Sequence, residues 1–194
     1  MANFGGRPTF LGRVGRVIGP LATPRTFRLC LGSQKTYFSF EYLHGAVGDA
    51  QLEEWPATLE ALRALAPRSR IWAVVKADAY GHGLAAAVRG FAEADGLALV
   101  EFDFALRLRE LGWRKPVLLL EGAFEADDVV LARTHGFALT VHEAGQIEWL
   151  ASLPPGPPIE VHLKMNTGMN RLGFAPDCCV AAAARLAGLP AVGA

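Results

Sequence analysis

From Arg68 onward, short apolar runs alternate with longer stretches in which apolar residues recur at helical spacing. Five apolar runs have the length and continuity of buried strands: Ile71–Val75, Leu97–Val100, Val117–Leu120, Phe137–Val141 and Ile159–Leu163. Five segments predict helices: Leu84–Ala94, Asp103–Leu111, Glu125–His135, Glu143–Leu153 and Pro176–Ala187. Continuous apolar strands alternating with helices predict a parallel sheet covered by helices. We therefore expect an α/β fold, either an open doubly wound sheet or a (β/α)₈ barrel, since right-handed crossovers allow both.

Residue types at the ends of these segments support their boundaries. Asp103 is of the type that favours an N-cap, and Gly112 and Gly136 stand where glycine commonly follows a helix end. On the helix between Asp103 and Gly112, we expect Arg109 to lie on a face exposed to water.

The first 48 residues follow a different pattern. Their apolar runs are broken by glycine and proline, and they show neither a strand period nor a helix period. They contain six basic residues and a single acid, Glu41. An organelle transit peptide, a bacterial signal peptide, and a stretch foreign to the rest of the chain through a mis-called start or a shifted frame would each explain this. We favour the third, because the Arg-rich amphipathic period and the apolar core of targeting segments are both missing.

Composition narrows the class of protein. The chain has 194 residues, of which 52% are hydrophobic and 20% charged, as in ordinary globular domains. Its formal net charge of zero gives no reason to expect nucleic acid or a membrane surface as partner. Three cysteines provide neither a disulfide framework nor metal-ligand spacing, which fits a reducing cytoplasm. No apolar run approaches the roughly 20 residues that span a bilayer.

A lysine stands at the end of the first apolar run. Ile71–Val75 is followed by Lys76 and then by Ala-Asp-Ala-Tyr-Gly-His-Gly, which leads into the helix predicted from Leu84. Parallel α/β folds build their active sites at the carboxyl ends of strands. A partly desolvated lysine there can lose its proton and attack a carbonyl, whereas a lone lysine at such a place is more commonly a surface residue.

Two more cations follow the fifth apolar run. Lys164 and Arg171 belong to the block His162-Leu-Lys-Met-Asn-Thr-Gly-Met-Asn-Arg-Leu-Gly-Phe174, at or just beyond the end of that run. Two cations meeting in a half-buried site would repel each other.

These two blocks resemble two motifs of the alanine racemases, the pyridoxal 5′-phosphate (PLP) enzymes that interconvert L- and D-alanine. The first resembles the family's cofactor-lysine motif without a gap, and the second follows in the expected order. The resemblance extends from about Leu59 to the end of the chain. It implies a PLP-binding (β/α)₈ TIM-type barrel of fold type III. Because a complete barrel takes roughly 250 residues, we interpret the chain as an amino-terminal fragment truncated after about five strand–helix units. We expect residues 1–58 to be an atypical basic leader and residues 59–194 to be the partial barrel domain.

The resemblance also assigns roles to residues. It implies that Lys76 holds PLP covalently and moves the α-proton, that Tyr80 reaches the cofactor phosphate, and that Arg171 contacts both cofactor and substrate carboxylate. The lysine matching Lys164 is often carbamylated, which turns its charge negative and lets it hold the arginine. Asn166 stands where many relatives have Asp, and no metal is implied.

The family's biology is implied in the same way. Alanine would be the substrate, the complete protein would be a cytoplasmic homodimer, and D-alanine would supply peptidoglycan. The second acid–base group is a tyrosine of the partner's carboxy-terminal domain, and none of Tyr37, Tyr42 and Tyr80 matches it, so we expect the fragment to be inactive alone. The alternatives are a non-catalytic PLP-binding homeostasis protein and an inert product of a truncated or frameshifted gene.

Overall fold

The computed structural model of the chain describes residues 26–31, 35–41 and 54–193. Most of the predicted leader, residues 1–58, lies outside these ranges. The chain divides into two compact units. The first contains the described residues up to Val74 together with Asp78–Asp95, and the second contains Val75–Ala77 and the described residues from Gly96 onward.

Three strands lie in the described residues of the first unit. Strand β1 (Thr26–Leu31) pairs antiparallel with β2 (Lys35–Glu41), which pairs parallel with β3 (Arg70–Val74). Strands β1 and β2 lie in a stretch for which the hydrophobic pattern predicted no regular element.

Helices of the first unit pack on one another through an aromatic ring. The unit contains α1 (Glu54–Leu65) and α3 (Leu84–Gly90), while the short α2 (Lys76–Tyr80) begins in the second unit and ends in the first. Trp55 stacks on Phe91 with 4.7 Å between ring centroids. A Cβ at Gly90 would lie 2.3 Å from the Trp55 ring, so a residue without a side chain is required there. Helix α3 is shorter than the predicted Leu84–Ala94: it ends at Gly90, and Phe91 already has non-helical φ and ψ angles of −102° and 22°.

The second unit is a parallel sheet with helical crossovers. Its strands are β4 (Gly96–Leu99), β5 (Val117–Leu119), β6 (Phe137–Val141), β7 (Ile159–Leu163) and β8 (Val192–Gly193), and each pairs with the next. Its helices are α4 (Phe102–Glu110), α5 (Ala126–His135), α6 (Ala144–Ser152) and α7 (Pro176–Ala187). The predicted strands and crossover helices of this unit are confirmed to within two residues.

Apolar side chains fill the centre of this sheet. Every residue of β4, β5 and β6 is buried, which explains why these strands are hydrophobic without alternation. Leu97, Leu99 and Leu119 have no exposed surface, so truncating one of them to alanine should cost about 2–5 kcal/mol.

Two local predictions in the second unit are wrong. Asp103 is not an N-cap, because α4 begins one residue earlier and Glu101 occupies the N-cap position. Arg109 is not on a water-exposed face: its guanidinium donates to the carbonyls of Trp113, Lys115, His135 and Gly136. Gly136 does end α5 in the left-handed conformation, as predicted, with φ 63°.

Candidate active site

Several polar side chains lie at the carboxyl ends of the parallel strands in the second unit. Val75 extends this sheet, since its N–H donates to the carbonyl of Ala98 in β4 at 2.8 Å. Lys76 follows Val75 directly, and Glu101, His142 and Lys164 follow β4, β6 and β7. Because parallel strands end at one edge, these residues share the edge where barrel enzymes build their active sites. The sequence prediction that Lys76 and Lys164 stand at strand ends is confirmed.

Lys76 opens a turn with unusual backbone geometry. The four residues that follow it, Ala77 to Tyr80, have φ between 52° and 56°, so α2 is a left-handed turn without a single glycine. Each non-glycine residue in this conformation costs roughly 1–2 kcal/mol. Such strain persists only where the surroundings hold it, and it is concentrated at functional sites. The half-buried Lys76 therefore directly precedes four residues whose main chain is strained.

Glu101 holds the beginning of this turn. One carboxylate oxygen accepts the N–H of Ala77 at 3.1 Å, and the other accepts the N–H of Val100 at 3.3 Å. The carboxylate thereby fastens the residue after Lys76 to the end of β4. This role could not be predicted from the sequence, because the two partners are separated by 24 residues and nothing local marks Glu101.

Asp78 holds the end of the turn. Its carbonyl accepts the N–H groups of Gly81 at 3.1 Å and Gly83 at 2.9 Å, and its carboxylate accepts the N–H of Leu84 at 2.8 Å. Both glycines have φ near 90°, at 86° and 88°, a region that favours glycine. Asp78 therefore connects the left-handed turn to the first residue of α3.

Tyr80 and His82 lie in the first unit, just after the turn. Tyr80 is the last residue of α2 and is half-buried. The edge of the His82 ring meets Trp55 with 5.8 Å between centroids. Burial lowers the pKa of His82 below its ordinary value, because desolvation disfavours the charged imidazolium. Burial thus favours the neutral form of His82, whose ring packs against that of Trp55.

Lys164 and Arg171 stand at the two sides of one closed loop. The N–H of Lys164 donates to Val141 at 2.8 Å, and its carbonyl accepts the N–H of Phe174 at 2.9 Å. A second bond, from the N–H of Asn166 to the carbonyl of Phe174 at 2.8 Å, closes the loop. Lys164 is half-buried, whereas Arg171 is exposed to solvent. The Arg171 side chain is therefore accessible to a ligand from solvent.

Asn166 shapes the inside of this loop. Its carbonyl oxygen accepts the N–H groups of Gly168 at 3.2 Å and Asn170 at 3.1 Å, while its amide nitrogen donates to the side chain of Asn170 at 3.0 Å. An aspartate could accept the first two bonds but could not donate the third. The side chain of Asn166 thus uses both its acceptor and its donor within the loop.

The loops after β5 and β6 are tied together by a buried amide that the sequence analysis did not single out. Gln146 is 2% exposed, and its nitrogen donates to the carbonyls of Glu121 and Ala123, each at 2.9 Å. Its oxygen accepts the N–H of His142 at 2.8 Å. A Cβ at Gly122 would lie 2.0 Å from the carbonyl oxygen of Thr140, so the loop approaches β6 too closely for a side chain. These contacts fix the main chain at the same edge as Lys76 and Lys164.

Comparison with known proteins identifies the family. The model of the alanine racemase N-terminal domain matches residues 51–194. The chain belongs to the alanine racemase family. It is 52% identical over 136 residues to the alanine racemase of Janthinobacterium sp. (strain Marseille), which covers 70% of this chain and 38% of that protein. It is also 52% identical over 134 residues to the alanine racemase of Acidovorax sp. (strain JS42), covering 69% of this chain and 37% of the relative. The chain thus spans less than two fifths of the length of these relatives.

Solved structures give the same fold. The biosynthetic alanine racemase from Pseudomonas aeruginosa matches with a TM-score of 0.67 and 38% identity, over 73% of this chain and 40% of that one. A histidine racemase from Leuconostoc mesenteroides matches with a TM-score of 0.62 and 28% identity, over 73% of this chain and 39% of the other. The predicted fold, part of a (β/α)₈ barrel, is confirmed, and so is membership of a family of amino-acid racemases. Among the described residues, no helix is long and apolar enough to cross a membrane, and no cluster of side chains has metal-ligand geometry.

Proposed function

We propose that this chain forms the lysine-bearing part of a PLP-dependent alanine racemase, an isomerase that interconverts L- and D-alanine. The observation that carries the proposal is the placement of Lys76, at the end of the sheet and on a strained turn anchored by a carboxylate. The relatives named alanine racemase support the choice of substrate. Because a histidine racemase shares the fold, the substrate assignment rests on sequence identity rather than on the barrel itself.

The donor set fits PLP. Lys76 provides the primary amine that the cofactor's carbonyl requires, and it is half-buried at a strand end. The hydroxyl of Tyr80 would bind the cofactor phosphate. Nothing lies within 4 Å of a Cβ placed on Gly81 or Gly83, so the chain leaves room beside the turn. Bound PLP would withdraw electrons from the substrate and thereby acidify its α-proton.

The remaining residues bind substrate and move protons. Arg171 would hold the alanine carboxylate with a planar, bidentate pair of N–H groups and contact the phenolic oxygen of the cofactor. The amine of Lys76 would take the α-proton on one face and return it there. Carbamylation of Lys164 would convert a repelling cation into an anion that orients Arg171 by charge-assisted hydrogen bonds. The exposure of Arg171 is consistent with a side chain that is ordered by its ligands.

Inversion requires a second acid–base group on the opposite face. We propose that the partner subunit of a homodimer supplies it as a tyrosine, so residues 1–194 alone do not racemise alanine. The complete enzyme would act in the cytoplasm, and its D-alanine would enter peptidoglycan. A non-catalytic PLP-binding role is less well supported, since the curated relatives above are racemases.

The test is a chimaera in which residues 59–194 replace the matching segment of the Janthinobacterium enzyme. We expect the chimaera to form D-alanine from L-alanine in a coupled oxidase assay, and Lys76→Ala to abolish turnover. Lys115→Ala is the matched control, because Lys115 is exposed and lies before β5, away from the carboxyl-end edge. A chimaera that folds and binds PLP but does not racemise alanine would contradict the proposal.

A further inference from the structure

A cavity of about 320 Å³ opens at the edge of the second unit opposite to Lys76. It lies at the amino ends of β5, β6 and β7, where Val117, Phe137 and Ile159 line it. The mechanism above uses none of its residues. Its volume falls at the lower end of the range of small-molecule sites, which is roughly 300–1,000 Å³.

The lining of this cavity is strongly cationic. Arg109, Arg114, Lys115 and Arg133 line it, against one carboxylate, that of Glu160. An oxygen of Glu160 also lies 3.2 Å from Nε2 of His162. Like charges this close repel unless an anion compensates them. The pKa of Arg109 is lowered, first by burial and then by the charge of Arg114.

Arg133 has hydrogen-bonding capacity that the described residues leave unused. Its Nη1 donates to the carbonyl of Pro154 at 2.6 Å, but its Nε and Nη2 are buried without any partner in the described part of the chain. A buried donor without an acceptor is costly, and a charged one more so. Gly156 permits this placement, since a Cβ there would lie 3.1 Å from Nη1.

The helix dipole explains only part of this arrangement. Arg109 and Arg133 both lie in the last turns of their helices, α4 and α5, where a cation is favourable. Arg109 uses that position to bind four carbonyls and so fixes the rim of the cavity. Neither the dipole nor this network provides an acceptor for Nε and Nη2 of Arg133.

We propose that this cavity binds a phosphate-class oxyanion, free or as a small phosphomonoester. The oxygens of a phosphate group accept several N–H donors at once, and its double negative charge suits a cluster of four cations better than a carboxylate does. A turn of the Arg133 side chain toward the cavity would let its buried Nε and Nη2 donate charge-assisted hydrogen bonds to the anion, and Arg114 and Lys115 would neutralise the remaining charge. The cavity volume leaves room for an organic group next to the phosphate. This site is independent of the proposed racemase activity.

The test is calorimetric titration of the full 194-residue chain at low ionic strength with inorganic phosphate and, separately, with glycerol phosphate. Arg133→Met should weaken binding about tenfold or more, since it removes charge-assisted bonds. Arg114→Gln, at an exposed position that does not threaten folding, should weaken binding less. Arg107→Gln is the matched control, because Arg107 is on the same helix as Arg109 but is paired with Glu110 outside the cavity.

Binding that falls with added salt, is lost in Arg133→Met and is retained in Arg107→Gln supports the site. Tighter binding of glycerol phosphate identifies a phosphomonoester, and equal binding identifies phosphate itself. A chain that folds by circular dichroism but takes up neither probe overturns the proposal. So does equal affinity for acetate, or an equal loss in Arg107→Gln and Arg133→Met, since either outcome indicates unspecific charge.

Discussion

Removing the Glu101 carboxylate should change the position of Lys76, because Glu101 binds the main chain of the next residue, Ala77. Glu101→Ala deletes the acceptor for the N–H of Ala77 at 3.1 Å and for that of Val100 at 3.3 Å. At about 0.5–1.5 kcal/mol for each net hydrogen bond, the loss is about 1–3 kcal/mol. Four left-handed residues store more strain than that, so a released Ala77 would relax toward ordinary geometry and carry Lys76 with it.

The effect should appear in catalysis and in cofactor retention together. In the chimaera, kcat/KM for alanine should fall about tenfold, corresponding to about 1.4 kcal/mol. PLP should also dissociate faster, which is followed by its visible absorbance during dialysis. Glu101→Gln should recover part of both losses, because its amide oxygen can still accept one N–H. Glu110→Ala, which removes an exposed carboxylate from the same helix, is the control. Unchanged turnover and PLP retention in Glu101→Ala would refute the reasoning, as would an equal loss in Glu110→Ala.

Three further predictions concern stability, substrate binding and pH. Gln146→Leu should lower the free energy of unfolding by about 2–4 kcal/mol in urea titration, since three buried or part-buried main-chain groups lose their hydrogen-bond partner; an effect below 1 kcal/mol would contradict their assignment. Arg171→Lys should reduce kcat/KM of the chimaera for alanine at least tenfold despite keeping the charge, because the planar fork is lost; an unchanged value would remove Arg171 from the site. The pKa of His82 is lowered in the folded state, so the unfolded chain binds the proton more readily and stability falls as pH drops below about 6.5. His82→Gln should flatten this decline in urea titrations at several pH values, and an identical pH profile would contradict the burial argument.

The strands were predictable because burial on both faces leaves an unbroken apolar run. Phe137–Val141 is predicted and observed with the same boundaries, and each residue is buried. Lys76 at the strand end follows from the same pattern, since the run stops where the chain leaves the sheet. Long crossover helices were predictable for a similar reason, because their spacing is fixed by the need to return to the next parallel strand.

The details of the site were not predictable, because they depend on contacts between distant residues. Ala-Asp-Ala-Tyr has no glycine and gives no local sign of a left-handed turn; the anchor, Glu101, is 24 residues away from Ala77. Gln146 reads as an ordinary helix residue until its partners at Glu121 and Ala123 are seen. Arg109 was expected in water for the same reason, since two of its four carbonyl partners lie at the end of another helix, 26 and 27 residues away.

The boundary of the family resemblance stays a prediction. The recognisable similarity starts at about Leu59, while the family model extends its match to residue 51. Strands β1 and β2 show that part of the preceding stretch can pair in a sheet, although its composition predicted no element there. Paired main chains tolerate many sequences, so strand pairing alone does not identify a family segment.

The central claim is that Lys76 is the residue that carries PLP. The most direct measurement is to incubate the chimaera with PLP, fix the covalent link with borohydride, and map the modified peptide by mass spectrometry. The account predicts the added mass on Lys76 and none on Lys164, with no specific labelling after Lys76→Ala. Labelling of another lysine, undiminished by Lys76→Ala, would contradict it.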